Sequence, residues 1–198
     1  MRHYYEELWQ GLPYELSLPD YELRLRFLLE DVRPGLRVLD LGCGEGGFAA
    51  AAAGEGAEVI GVEVAQAAVD RAVRAHPGLD FQRVEIDGPL PFEDGAFELV
   101  WASEVIEHVA DTARWLSEVR RVLAAGGLFL VTTPSHGRLR VALGGIERFS
   151  EPLGDHLHLY TRRSLADVLG EFGFEPVSVR AVGGPPLLRR MLLGRARR

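Results

Sequence analysis

One ten-residue stretch constrains this chain more than any other: Val38-Leu39-Asp40-Leu41-Gly42-Cys43-Gly44-Glu45-Gly46-Gly47. β-Favouring residues run into an acid, glycines fill four of the six positions 42–47, and Phe48-Ala49-Ala50-Ala51-Ala52-Ala53 opens a helix-prone run. A strand that turns through glycines into a helix brings bare backbone N–H groups and a helix N-terminus up to a ligand. The stretch therefore predicts a strand, a binding turn and a helix, in that order.

The same alternation continues along the chain. Strands are expected near 36–41, 57–62, 81–85, 97–102, 127–133 and 174–182, and helices near 47–54, 65–75, 112–124 and 162–172. An earlier amphipathic helix should begin after Pro19-Asp20 and run to about Val32, with Leu23, Phe27 and Leu28 on one face. This pattern predicts an α/β fold with helices on both faces of a parallel sheet and a ligand at the carboxyl ends of the strands. At 198 residues the length suits one domain. Its expected parts are an N-terminal helical lid (1–33), a core (34–133), a substrate-side loop region (134–160), and a C-terminal helix, strand and basic tail (161–198). Tyr4, Tyr5 and Trp9 would carry the lid.

The glycines alone do not name the ligand. Gly42, Gly44 and Gly47 satisfy the G-x-G-x-x-G dinucleotide fingerprint, and Glu63 follows about twenty residues on. Asp40 shifts the balance, because a carboxylate at the strand end repels a pyrophosphate and favours a cation. S-adenosylmethionine carries an ammonium and a sulfonium and no phosphate. Val-Leu-Asp-Leu-Gly-Cys-Gly-x-Gly resembles the first motif of the class I S-adenosylmethionine-dependent methyltransferases, in particular their small-molecule, ubiquinone-biosynthesis-like members.

Three further segments resemble that family in order. Val59-Ile60-Gly61-Val62-Glu63 ends in the acid that, in the family, accepts from both ribose hydroxyls, with Val64 beside it. Ile86-Asp87-Gly88-Pro89-Leu90-Pro91-Phe92 resembles the adenine segment, one residue shorter than usual, with Asp87 or the backbone of Gly88 as contacts. Gly95 to Val109 resembles the fourth strand and the turn after it, with Ser103 and Glu104 beside the methionine moiety, and Gly126 to Pro134 resembles the fifth strand. The resemblance implies a Rossmann-like, doubly wound sheet of about seven strands, the last antiparallel. Met191 to Ala196 would have to supply that strand, and the segment reads equally as helix. The implied cofactor residues are Asp40, Gly42, Cys43, Gly44, Gly46, Glu63, Val64, Asp87, Gly88, Ser103 and Glu104.

Composition narrows the partners. The net charge of −7 argues against a broad nucleic-acid surface, so no nucleic-acid partner is expected. No apolar run reaches a membrane span and no signal peptide opens the chain, so a cytoplasmic protein is expected. Cys43 is the single cysteine, which excludes intrachain disulfides and suits a small residue in the turn. All 22 basic side chains other than histidine are arginines, which excludes lysine Schiff-base chemistry. Arg189, Arg190, Arg195, Arg197 and Arg198 crowd the last ten residues, and a solvated tail is the default reading. Oligomeric state stays open.

Methyl transfer is an in-line displacement at an activated sulfonium, so the protein chiefly aligns the acceptor and excludes water. His108 is the candidate base where the acceptor must lose a proton. Glu104, Glu107 and His108 fall at i, i+3 and i+4, which a helix would place on one face, and with His156 they would make a cation site. That set resembles the metal-dependent RNA 3′-terminal 2′-O-methyltransferases, but the same run occurs in metal-free relatives. A small-molecule methyltransferase without a metal is the expectation. The alternatives are the RNA enzyme, a non-catalytic cofactor-binding domain and a nicotinamide-dependent dehydrogenase.

Overall fold

The computed structural model describes residues 2–13, 20–85, 88–145 and 156–198. Asp87 lies outside the described residues, as does most of the second half of the expected 134–160 region.

Seven strands form one sheet: β1 (Arg37–Leu41), β2 (Glu58–Glu63), β3 (Asp80–Arg83), β4 (Phe97–Ser103), β5 (Leu123–Pro134), β6 (Val177–Val182) and β7 (Met191–Arg197). Their order is β3-β2-β1-β4-β5-β7-β6. The first five run parallel, whereas β7 is antiparallel to both β5 and β6. Doubly wound topology and an antiparallel last strand are thus both present. Val38↔Leu99 and Asp40↔Trp101 register β1 on β4 at the point where the strand order reverses. Chains leaving these two strands diverge there and open a crevice.

Alternation along the strands sorts the core onto two faces. Val38, Leu99, Trp101 and Leu130 point to one side, packing against Phe27, Phe48, Val69 and Ala72. These come from α2 (Tyr21–Leu29), α3 (Gly47–Gly54) and α4 (Gln66–Ala75). Leu39, Val100, Phe129 and Val131 point to the other side, against Leu116 and Val119 of α5 (Thr112–Val122) and Leu165 and Leu169 of α7 (Arg162–Glu171). Each fully buried leucine or phenylalanine contributes about 1.5–3 kcal/mol. Two further helices, α1 (Arg2–Gly11) and α6 (Arg138–Gly144), lie within residues 1–33 and 134–160.

Several expectations need adjustment. Helix α2 does start after Asp20, which adopts φ +54° and whose carboxylate accepts from Arg190 Nη2 at 2.7 Å. The helix stops at Leu29 rather than Val32, and Glu30 and Asp31 turn to pair with Arg195. The run from Glu104 to His108 is a bend and a turn, not a helix, so its three side chains share no helical face. A turn is forced at once, because Glu104 itself holds φ +58°. Nor are the C-terminal arginines a solvated tail. Residues 191–197 are β7, Arg195 pairs with Glu30, Arg197 donates to the carbonyl of Gly126, and Arg198 to those of Arg121 and Leu123. The arginines tie the last strand to its neighbours.

Candidate functional site

A cavity of 730 Å³ opens at the carboxyl ends of β1, β2 and β4. Its floor is the glycine turn. Gly44 holds φ +53°, and a Cβ there would stand 3.2 Å from the Trp9 ring, so a side chain would strain the turn and press on α1. Gly46 serves a different purpose. At φ +80° it starts α3, and a Cβ would strike the Phe81 ring at 2.5 Å, on the side away from the cavity. Burial pushes the Cys43 thiol well above its ordinary value, which keeps it inert.

Glu63 closes the end of β2. Its Oε1 accepts from the N–H groups of Val64 at 2.7 Å and Ala65 at 3.4 Å, and its Oε2 from Gly44 at 3.3 Å. Among the described residues only the long bond from Gly44 engages Oε2, which leaves that oxygen a good acceptor for hydroxyl donors in the cavity. Burial raises the Glu63 pKa and these bonds partly offset it. Asp40 lies beneath the turn rather than on the cavity wall. It is buried, receives the Ala49 N–H, and is pushed up to about 7 by desolvation. Its Oδ2 has no hydrogen-bond partner among the described residues.

At the end of β4 a directed chain of hydrogen bonds crosses the crevice. Arg24 Nη1 donates to Ser103 Oγ at 3.0 Å, Ser103 Oγ and Thr132 Oγ1 lie 2.9 Å apart, and Thr132 Oγ1 donates to Glu104 Oε1 at 3.1 Å. Because the Thr132 proton points at Glu104, Ser103 is the donor to Thr132. Glu104 is raised by burial, with Arg24 opposing that shift. Its αL backbone is the sort of local strain that surrounding structure must hold in place.

A second cluster stands behind His108. Glu107 is fully buried; Thr133 Oγ1 donates to its Oε2 at 2.9 Å, and Oε1 has no hydrogen-bond partner among the described residues. His108 Nε2 lies 3.9 Å from Oε1. The Tyr160 N–H donates to His136 Nδ1 at 3.0 Å, so His136 carries its proton on Nε2 and donates it to His156 Nδ1 at 3.1 Å. Burial holds both imidazoles down at about 4 and hence neutral. Glu107, His108 and His156 each present one donor atom within 4.8 Å of the others, a spacing and ligand set that suit a divalent cation.

Of the residues singled out from the sequence, Gly42, Cys43, Gly44, Glu63, Val64, Gly88, Ser103, Glu104 and His108 line the one cavity. Asp40 and Gly46 do not: the first supports the turn from below and the second packs on Phe81. Sequence reading missed Arg24, Glu45 and Arg71. An arginine on an amphipathic helix reads as solvated face, and no local pattern shows that Arg24 turns inward to 3% exposure.

The cavity fits S-adenosylmethionine. It offers a bare glycine backbone, a buried carboxylate suited to a vicinal diol, and carboxylates rather than cations around the turn. A dinucleotide pyrophosphate would face the Glu63 carboxylate, whose three hydrogen-bond partners among the described residues are backbone N–H groups rather than cations.

A profile of the family described as "Methyltransferase domain" matches residues 1–179. The chain is 34% identical to the 24-methylenesterol C-methyltransferase 2 of Oryza sativa, over 96% of this chain and 59% of that protein. It is 27% identical to the ubiquinone biosynthesis O-methyltransferase of Burkholderia pseudomallei, over 81% of this chain and 73% of that one. The chain spans about a third to three fifths of the length of the first curated relatives it matches. Among solved structures, the phosphoethanolamine N-methyltransferase 2 of Haemonchus contortus in complex with S-adenosyl-L-methionine superposes with a TM-score of 0.76 at 18% identity. That match covers 99% of this chain and 56% of that one, a likeness of fold.

Proposed function

This chain belongs to the methyltransferase-domain family, and from that premise we propose that it is an S-adenosylmethionine-dependent methyltransferase acting on a small molecule. The observation that carries the reading is the convergence of the Gly42–Gly47 turn, Glu63 and Glu104 on one cavity. Bound there, S-adenosylmethionine would supply an activated methyl group. Glu63 would hold the ribose hydroxyls, the backbone of Gly42 and Gly44 would lie against the nucleoside, and Gly88 would face the adenine. Ser103 and Glu104 would flank the methionine end, with Asp40 stiffening the turn from beneath.

The acceptor half of the cavity is built by Tyr4, Tyr5, Leu8, Trp9, His108, Val109, Arg114 and Trp115. Their aromatic, mostly apolar character supports a small, partly apolar acceptor with few charges to satisfy. His108 stands edge-on to Tyr5 at 6.4 Å and is placed to take a proton from an acceptor. The relatives named for sterol and ubiquinone-precursor methylation support the same class of acceptor. No helix among the described residues is long and apolar enough to cross a membrane, and we place the protein in the cytosol.

Calorimetry is the first test. S-adenosylhomocysteine should bind in the micromolar range, about −7 to −8 kcal/mol, and NAD should not bind. No heat with S-adenosylhomocysteine would overturn the reading.

The three-residue cluster favours a second reading, a divalent ion held by Glu107, His108 and His156. We take the reaction to need no metal, since desolvation and alignment suffice for transfer to an already activated methyl group. Activity should survive EDTA. Loss of activity restored by manganese, with methylation of an RNA 3′ end, would establish the alternative.

A further inference from the structure

Helix α4 starts without a cap of its own: Ala65 occupies the N-cap position and offers no side-chain acceptor. Four N–H groups at a helix start need partners from elsewhere. Glu6 of α1 supplies two of them across sixty residues of chain, its Oε2 accepting from Gln66 N–H at 2.7 Å and its Oε1 from Ala67 N–H at 3.2 Å. A carboxylate at this end also meets the positive pole of the helix.

The reverse contact comes from α4 itself. Arg71 is 7% exposed, and its guanidinium donates to the carbonyls that end α1 and its following turn. Nη2 reaches Trp9 O at 2.7 Å and Leu12 O at 2.6 Å, and Nη1 reaches Pro13 O at 2.9 Å. The same Nη1 lies 2.9 Å from Glu45 Oε1, in the glycine turn. The guanidinium also stands over the Trp9 ring at 5.7 Å, the ring that covers Gly44. Arginine suits this place because its planar fork serves several acceptors at once.

We propose that Glu6 and Arg71 are positioning residues that clasp α1 to α4 by capping each other's helix, and so fix the acceptor wall above the glycine turn. Neither lines the cavity, whereas Tyr4, Tyr5, Leu8 and Trp9 between them do. Arg71 touches both the wall and the turn, so the wall is held by a residue that also steadies Glu45. The inference rests on the methyltransferase reading only for its kinetic consequence.

Hydrogen–deuterium exchange on the full chain tests the clasp without any ligand. Glu6→Ala should speed exchange at least tenfold across residues 2–13 and at the start of α4, while β1 and β4 stay protected. Glu6→Gln, which keeps one acceptor oxygen, should recover part of that protection. Arg71→Lys should loosen residues 2–13 in the same way while retaining the charge, so the result does not depend on an alanine variant that may misfold. With an acceptor in hand, Glu6→Ala should raise the acceptor KM about tenfold and leave S-adenosylhomocysteine affinity within threefold. Unchanged exchange across 2–13 in Glu6→Ala and Arg71→Lys would overturn the proposal, and so would faster exchange spread evenly over the sheet. Absence of S-adenosylhomocysteine binding to the wild type would strike the functional reading and leave the exchange result standing.

Discussion

The two halves of the cavity are made differently. The cofactor half is built from strand ends one turn away from a fully buried sheet, and its functional groups are largely backbone N–H groups and carboxylates fixed by backbone. Glu63 alone accepts three backbone N–H groups. The acceptor half is built from α1, the turn after β4 and the first part of α5, and α1 is held by side chains reaching across long separations in sequence: Glu6 to α4 and Arg71 to α1. A rigid half can serve one constant ligand, while a half held by a few contacts can change its ligand without disturbing the sheet. Function that varies within a family belongs on the second kind of support.

Four measurements would sharpen this contrast or break it. The largest effect is expected from removing residues 1–13, which should cut turnover more than a hundredfold and leave S-adenosylhomocysteine affinity within a few fold. Activity near wild type would show that the acceptor half does not need α1. Next, Glu63→Ala should weaken S-adenosylhomocysteine binding by about 1.5–3 kcal/mol, the worth of charge-assisted hydrogen bonds to two hydroxyls. An unchanged dissociation constant in the folded variant would remove Glu63 from the site. A smaller effect is expected from Gly44→Ala, where a Cβ in the left-handed region costs about 1 kcal/mol and presses on Trp9. Thermal denaturation should show that loss, together with faster exchange in α1; no change in either would mean the turn and α1 are independent.

The smallest effect is one of pH, and its sign differs between the halves. Asp40 has a folded pKa of about 7, raised by burial, so its contribution to stability is present at low pH and lost as pH climbs from about 4 to 7. His136 and His156 are lowered to about 4, so their contribution is present above about 6.5 and lost as pH falls toward 4. Relative to wild type, Asp40→Asn should therefore gain at least about 2 °C in Tm between pH 4.5 and pH 8, at roughly 2–4 °C per kcal/mol. His156→Asn should gain as pH falls. Parallel Tm curves for all three proteins would show that neither site titrates in these windows.

The cofactor half was the legible one, for a physical reason. Strand, glycine turn and helix are local and periodic, so their signals lie within a dozen residues, as from Val38 to Ala49. Strand ends followed within three residues except at β5, which begins at Leu123, four before the expected start, and β3 stopped short of 85 because pairing with β2 ends where Val84 N–H meets Glu63 O. The acceptor half depends on which distant side chain finds which orphaned group, and no local spacing encodes that. Ala65 at the head of α4 looks like an uncapped helix until Glu6 arrives. The run from Glu104 to His108 misled for a related cause: i, i+3, i+4 spacing predicts a shared face only where the backbone is helical, and Glu104 at φ +58° ends that premise. The arginine-rich end reads as solvated by composition alone, and becomes strand because β5 and β6 each lack a partner without it.

That last strand imposes an order of assembly. β6 pairs only with β7, and β7 is inserted between β5 and β6. Residues 177–182 are made before 191–197 but can join the sheet only after them, so α7 and β6 must wait for the final strand. Pro134 pairs with Met191 across more than fifty intervening residues, a long loop closure late in the process. Until it closes, β5 exposes a bare edge of N–H and C=O groups beside Leu128, Leu130 and Val131, the kind of template on which another chain can add a strand. The arginines spaced through Arg195, Arg197 and Arg198 thus have a second use: while the strand is unplaced, their like charges keep two such chains apart.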